Sequence, residues 1–507
     1  MTRRCLRGHP ESRTSAIRRS GCSVGAVIQV VSAAAISLGL ATDVSAHAFV
    51  QRYDLPVPFW YYLVGAGVVV GFTFVMLAAL RTNVTARAPL EIDISHRWIG
   101  RLASSTRLHT SLRGISFVIF IFLVSAGLLG AQEDPFANIL PGFVWVVWWV
   151  GFGFLCALVG DVWPVVNPWA TVANFPGRFR NRGMRPSLPP WLGVWPAVAL
   201  YLCFAWAELV WPDNAVPTKL ATVILVYSAI TWAGMVHYGT DPWLRCGETF
   251  SVVFGLFGRF APLAKSSDGR LVVRLPGTGL AVPEKVSFSM VVFVVALLAT
   301  VSFDGFLHTA AWGHVYAWAF SLLYDFGWVQ WLGNTGTRTL IVTAGLVAAP
   351  LCFLAVFLAI CQCTAIIPSP RPASNPAGAF EVASRFAFTL VPIAIAYHLA
   401  HYLWLLIIEG QRLYGHISDP LGLGWNLFGT AGVVPDSTLV EARFLWLFAL
   451  VAIVVGHAIA VWLAHLAAQR AYGNHRAALV SQIPMLFLMI GYTVLSLWII
   501  GQPIVAV

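Results

Sequence analysis

Charge is scarce in this chain of 507 residues: 10% are Asp, Glu, Lys or Arg, against 58% hydrophobic. No soluble fold could hide that much apolar surface, so an all-α, polytopic transmembrane helix bundle is the expected fold. The G-x-x-x-x-G-K-[ST], H-E-x-x-H and G-x-S-x-G patterns are missing, which leaves P-loop ATP hydrolysis, zincin proteolysis and a nucleophile-elbow esterase without support. No fixed-period repeat occurs, and no linker is long enough to divide the chain. None of the eight cysteines falls where a periplasmic disulfide would form. Cys361-x-Cys363 is not a C-x-x-C pair, and its apolar span marks buried thiols acting as small hydrophobes.

What charge there is lies unevenly. The formal net charge of +10 is the sign expected of a membrane protein that keeps its arginines in the cytoplasm, and no nucleic-acid partner is implied. Six arginines in the first 22 residues, an apolar stretch from Ser23 and the small-residue end "DVSAHA" read as a signal peptide over 1–46, with an uncleaved signal anchor as the alternative. One polytopic domain follows over 47–507.

Ten runs long enough to span a bilayer lie near 59–80, 114–131, 143–160, 193–211, 220–238, 286–303, 338–361, 386–408, 444–468 and 483–501. The connections at 81–113, 161–192, 239–285, 362–385 and 469–482 carry twenty Lys and Arg, the opposite ones five. That split places the first set on the cytoplasmic side of a bacterial inner membrane, with both mature termini periplasmic. The apolar stretch 310–332 would invert every later loop if it spanned. It is interrupted by Gly, His and Asp and dense in Trp and Tyr, so it is expected to be interfacial or re-entrant. The amphipathic stretch 247–262 is expected to lie on the inner surface, and Asp161 and Asn167 of "GDVWPVVNPW" to cap helices at the interface.

Imidazoles within such runs are the main chemical signal. His398 and His401 sit one turn apart, about 18 Å from the inner end of their span, and His457 lies about 20 Å from the outer end of the next. Three nitrogens on two neighbouring helices would hold a divalent zinc, copper or iron ion with a position open for water. The plain alternative is one interhelical hydrogen bond for each ring. Glu208 and Asp304, flanked by aromatics, are candidate catalytic carboxylates, whereas Glu409 is expected to face outer water. His308 and His314 follow Asp304, and His308 could complete a metal site at the outer mouth. His47, as a free N-terminus, would chelate copper through its amine and ring. His237 and His465 lie near inner ends, where snorkelling to water suffices.

The stretches "QRYDLPVPFW", "NPW", "LRCGETFSVVFGLFGRFAP", "AYHLAHYLW" and "VVGHAIAVWLAH" resemble a bacterial membrane-protein family known as fenitrothion hydrolase, over almost the whole mature chain. The resemblance implies hydrolysis of an organophosphorus triester by a multi-subunit membrane enzyme. The H-x-H and H-x-H-x-D-H signatures of soluble metal-dependent phosphotriesterases are absent, so a different fold is implied. Three readings follow. One is a hydrolase whose intramembrane metal activates water against an apolar substrate arriving from the lipid bilayer. Another is a transporter or metal-handling permease using the same histidines as a relay. The third is a non-catalytic subunit anchoring or loading a second membrane or periplasmic partner.

Overall fold

In the computed structural model, residues 55–79, 91–134, 136–173, 188–266, 268–281, 286–367, 378–472 and 475–502 are described. The leader and His47 lie outside them. Over these residues the protein is an all-α polytopic bundle. Among the described residues nine helices are long and apolar enough to cross a membrane, which makes this a multi-pass membrane protein. In chain order the bundle runs α1 (Phe59–Ala79), α2 (Thr106–Leu129), α3 (Ile139–Leu158), α4 (Trp195–Leu209), α5 (Pro217–Tyr238), α6 (Thr249–Phe260), α7 (Phe288–Leu307), α8 (Ala310–Asp325), α9 (Trp328–Ala365), α10 (Val391–Ile408), α11 (Ala442–Tyr472) and α12 (His475–Ile500). The run expected at 193–211 is present as α4, whose 15 residues reach only about 22 Å.

A helix apolar all round is either enclosed within the bundle or faces lipid at its rim. That distinction sorts the helices. α7 is enclosed along nearly its whole length, and α10 from Val391 to Ala400. α1, α2 and α5 keep broad apolar faces exposed, such as Val68, Ile115 and Val226. α10 and α11 approach closely because Gly456 has no side chain: a Cβ there would strike Ala396 and stand 2.8 Å from the Pro392 carbonyl. Small residues let membrane helices come this near.

Helix ends gather in two groups. At one end a three-stranded antiparallel sheet, order β1-β3-β2, joins β1 (Glu91–Asp93), β2 (Leu263–Lys265) and β3 (Leu271–Arg274). Val159 accepts from Leu263 N at 3.0 Å, Ser384 from Val286 N at 3.2 Å and Ala281 from Arg470 Nη1 at 2.9 Å. Segments from four of the five Arg-rich connections, and the end of α3 that leads into the fifth, thus meet at one end. At the other, Ala131 N donates to Leu421 O at 2.7 Å, and Thr218 N to Gln132 Oε1 at 2.9 Å. This grouping is the alternation the charges call for.

α9 passes Trp206 near the second end at Thr343, whose Oγ1 accepts from the indole at 2.9 Å, with its first turns lying beyond that point. It finishes at the sheet end, where Thr364 O accepts from Tyr472. α8 therefore begins and ends on one side and makes no eleventh crossing.

The expectation for 247–262 needs correction. α6 does not lie on a surface: Phe250, Val253, Phe254 and Phe257 are buried among neighbouring helices. Together with the turn of helix Thr240–Cys246 it forms a hairpin folded into the bundle. The hairpin tip is tolerable because Glu248, fully buried, caps the start of α6. It accepts from Phe250 N at 2.9 Å, Ser251 N at 2.8 Å, Trp163 Nε1 at 3.2 Å, Asn167 Nδ2 at 3.3 Å, Ser251 Oγ at 2.5 Å and the Tyr227 hydroxyl. Asn167 does cap a helix, accepting from Ala170 N at 3.0 Å. Its amide, however, is spent on Glu248, so the "NPW" turn braces the hairpin rather than facing the interface.

Candidate functional site

The enclosed helices α7 and α10 carry the candidate residues. Asp304 sits near the C-terminal end of α7 with its side chain 11% exposed. His401 Nε2 donates to Asp304 Oδ2 at 3.0 Å, and the Tyr402 hydroxyl lies 2.7 Å from the same oxygen. That hydroxyl also stands 3.2 Å from Glu208 Oε1 on α4. Two carboxylates from different helices thus share one phenol, with an imidazole on the nearer of them. Donor counting orders the chain. A phenol has one hydrogen, which goes to Asp304. The Glu208 contact is then a hydrogen bond only when Glu208 holds a proton and donates it to the Tyr402 oxygen. The line runs Glu208 to Tyr402 to Asp304, with His401 donating from the other side.

His308 is exposed. Its Nδ1 donates to the Asp304 carbonyl at 3.0 Å, closing the last turn of α7 beside the buried carboxylate. Behind the cluster, Tyr201 of α4 and Thr300 of α7 share a hydrogen bond of 2.7 Å, and Ser302 of α7 bonds the Tyr492 hydroxyl of α12. Polar contacts therefore tie α7 to three neighbours, and each must hold its register for the cluster to form.

The expected three-imidazole centre does not assemble. His398, one turn before His401, points elsewhere. Neither of its nitrogens has a partner, and it is walled by Trp149 at 5.4 Å, Phe257 at 5.6 Å, Phe154 at 6.0 Å and Tyr402 at 4.9 Å between ring centroids. Gly153 makes the remaining wall, where a Cβ would stand 2.6 Å from His398 Nε2. His457 donates through Nδ1 to the Ile453 carbonyl at 2.8 Å, and its Nε2 is unpartnered. Among the described residues no group of three or more His, Cys, Asp or Glu side chains is placed to hold a metal ion. The reason is angular: on an α-helix, positions three apart differ by about 60°, enough to aim His398 toward α3 and His401 toward α7.

Other expectations divide. Glu409 pairs with Arg412 at 2.6 Å rather than with water alone. His465 does not snorkel: it is buried, with Nδ1 3.0 Å from Gln482 Oε1 and Nε2 2.8 Å from Gln469 Nε2. His237 and His314 are exposed. None of the six described cysteines forms a disulfide, and Cys156 and Cys361 are buried.

Two residues escaped the sequence reading. Tyr402 was overlooked beside two histidines, although a phenol adjacent to an intramembrane His can reach the same carboxylate. Glu248 was hidden inside an amphipathic pattern. Its signal is an acidic residue immediately before an apolar helix, the N-cap position, although Asp, Asn, Ser and Thr are the usual occupants. The chain matches no family model, no curated protein and no solved structure.

Proposed function

We propose that this protein is a bacterial inner-membrane transporter in which Glu208, Tyr402, Asp304 and His401 form a proton relay. The observation that carries the reading is the Tyr402 hydroxyl within hydrogen-bond reach of both carboxylates. Moving one hydrogen through that hydroxyl passes a proton from Glu208 to Asp304 without displacing a heavy atom far. With its ring hydrogen shifted to Nδ1, His401 then accepts that proton at Nε2 and releases the Nδ1 hydrogen outward from its 22% exposed ring. Ionisable groups at such depth are retained where they bind or pass ions. Purified protein in liposomes carrying a pH-sensitive dye should dissipate an imposed pH gradient; flux no greater than in empty liposomes would refute the relay.

In this reading the sheet end is cytoplasmic, because the Arg-rich connections lie there. Reporter fusions after residues 110, 265 or 475 should report cytoplasm, and fusions near 137, 215 or 430 periplasm. A cytoplasmic signal at both 430 and 475 would break the assignment.

A second reading, hydrolysis of an organophosphorus triester, draws support from an apolar cavity of about 560 Å3 whose wall includes Ala207, the neighbour of Glu208. His401, oriented by Asp304 through Nε2, would use Nδ1 to take a proton from water as that water attacks phosphorus and the P–O bond to the aryloxide leaving group breaks. Among the described residues the side chains do not provide a three-ligand metal centre, so no step is assigned to a metal. Purified chain assayed on an aryl phosphorothioate triester, with elemental analysis of the same sample, separates the cases. Turnover lost in His401→Gln supports hydrolysis. Metal bound in proportion to protein, and lost in His398→Ala and His457→Ala, would restore the metal-dependent form.

A further inference from the structure

The cavity beside α4 has two unlike walls. Its outer wall, from α2 and α5, is mostly aliphatic, and Ile115, Ile119, Val223 and Ile230 there are also exposed on the surface of the bundle. The opening therefore faces the region that lipid would occupy. The inner wall, from α3, α4, α6 and the 163–169 turn, holds eight of the ten aromatic residues that line the cavity. Trp148 lies at its middle, 4.2 Å from Phe250 and 6.0 Å from Trp163 between ring centroids. A wall built from prepacked ring edges and faces favours a flat ring over a saturated chain.

Hydrogen-bond accounting narrows the ligand further. Trp145 donates to Asn214 O at 3.1 Å, Trp163 to Glu248 Oε2 at 3.2 Å and Trp169 to Ser228 Oγ at 2.7 Å. The Tyr227 hydroxyl donates to Glu248, and the Ser116 hydroxyl to the Val166 carbonyl. Trp148 is the remaining indole. It is half-buried, and its N–H makes no hydrogen bond among the described residues. One unpartnered N–H, beside only the weakly donating Cys203 thiol, in an apolar, aromatic slot asks for one acceptor on an otherwise apolar molecule.

We infer that this cavity binds a lipid-soluble, planar-ring molecule with a single acceptor oxygen, which enters between α2 and α5 and meets the Trp148 indole N–H. The volume of about 560 Å3 lies within the range of roughly 300–1,000 Å3 typical of small-molecule sites. The inference rests on neither functional reading, because occupancy is scored without flux or turnover.

Benzophenone, a two-ring ketone with one acceptor and photoreactive toward C–H bonds, is the probe. The full chain in lipid nanodiscs is irradiated across a concentration series, and its peptides are mapped. Adducts within 112–124, 143–152, 200–207 or 220–230 should saturate and be suppressed by excess 2-acetylnaphthalene. Trp148→Phe, which keeps the ring and removes the donor, should raise the half-saturating concentration about fivefold, as expected for one hydrogen bond of about 1 kcal/mol. Labelling that rises linearly and equals that at the exposed Val68 and Phe72 of α1 would overturn the site, leaving a lipid-facing groove. So would tryptophan quenching by bromine-tailed phospholipid that 2-acetylnaphthalene cannot relieve, because the occupant would then be an acyl chain. An unchanged half-saturation in Trp148→Phe would overturn the assignment of the donor.

Discussion

Asp304→Asn should lower proton flux through reconstituted protein by about a hundredfold, the scale on which a positioned proton-transfer group acts. Asparagine fills the same volume and still accepts from Tyr402 or His401, but its amide cannot take a proton and release it. Tyr402→Phe removes the bridge and should separate Glu208 from Asp304, with a comparable loss. Because both changes cut one line, the double variant should be little worse than either single one. A purely structural role predicts another pattern. Interhelical hydrogen bonds in membranes are worth about 0.6 kcal/mol on average, so thermal stability would fall slightly, additively, and with flux unchanged. Glu208→Gln distinguishes the direction of the line: it can donate to the Tyr402 oxygen but cannot exchange a proton, so stability should hold while flux falls. Wild-type flux in Asp304→Asn, with the variant folded, would refute the relay.

Glu248→Ala should prevent accumulation of folded protein. Its carboxylate accepts from six donors at the tip of the α6 hairpin, and alanine would strand them in a dry interior. Each buried donor left unmade costs about 1–3 kcal/mol, against a total stability of roughly 5–15 kcal/mol for a typical fold. Several orphaned donors together exceed that margin. Tyr227→Phe, which deletes one donor together with its need, should be tolerated with a loss near 1 kcal/mol. Monodisperse yield after detergent extraction, followed by thermal unfolding, reads both. Normal yield and an unchanged melting temperature in Glu248→Ala would show that the hairpin tip is held by packing alone.

Much of the architecture was legible because a bilayer imposes strong local constraints. A span must be apolar over about 20 residues, and arginine stays on one side, so ten runs and twenty basic residues against five were enough to order the chain. The reading of 310–332 as interfacial or re-entrant, not spanning, followed from the same count. The α6 hairpin was not legible. Its amphipathic pattern matches a surface helix, and only the distant donors Trp163, Asn167 and Tyr227 make burial of its first turn affordable.

The candidate site divides along the same line. Residue type and depth singled out Glu208, Asp304, His398, His401 and His457, because ionisable groups within an apolar run stand out in any reading. Which of them meet was decided by tertiary structure. A turn of helix rotates His398 into the ring cage of Trp149, Phe154 and Phe257 and His401 onto Asp304, and the tilt and register of α4 bring Glu208 to Tyr402. The sequence alone determined a membrane bundle, its alternation and a short set of buried polar residues, since each depends on transfer from water over a few consecutive residues. Only the packed bundle decided that a carboxylate and phenol chain forms in place of an imidazole triad, because side-chain direction across a helix interface depends on rotation and register that no local pattern encodes.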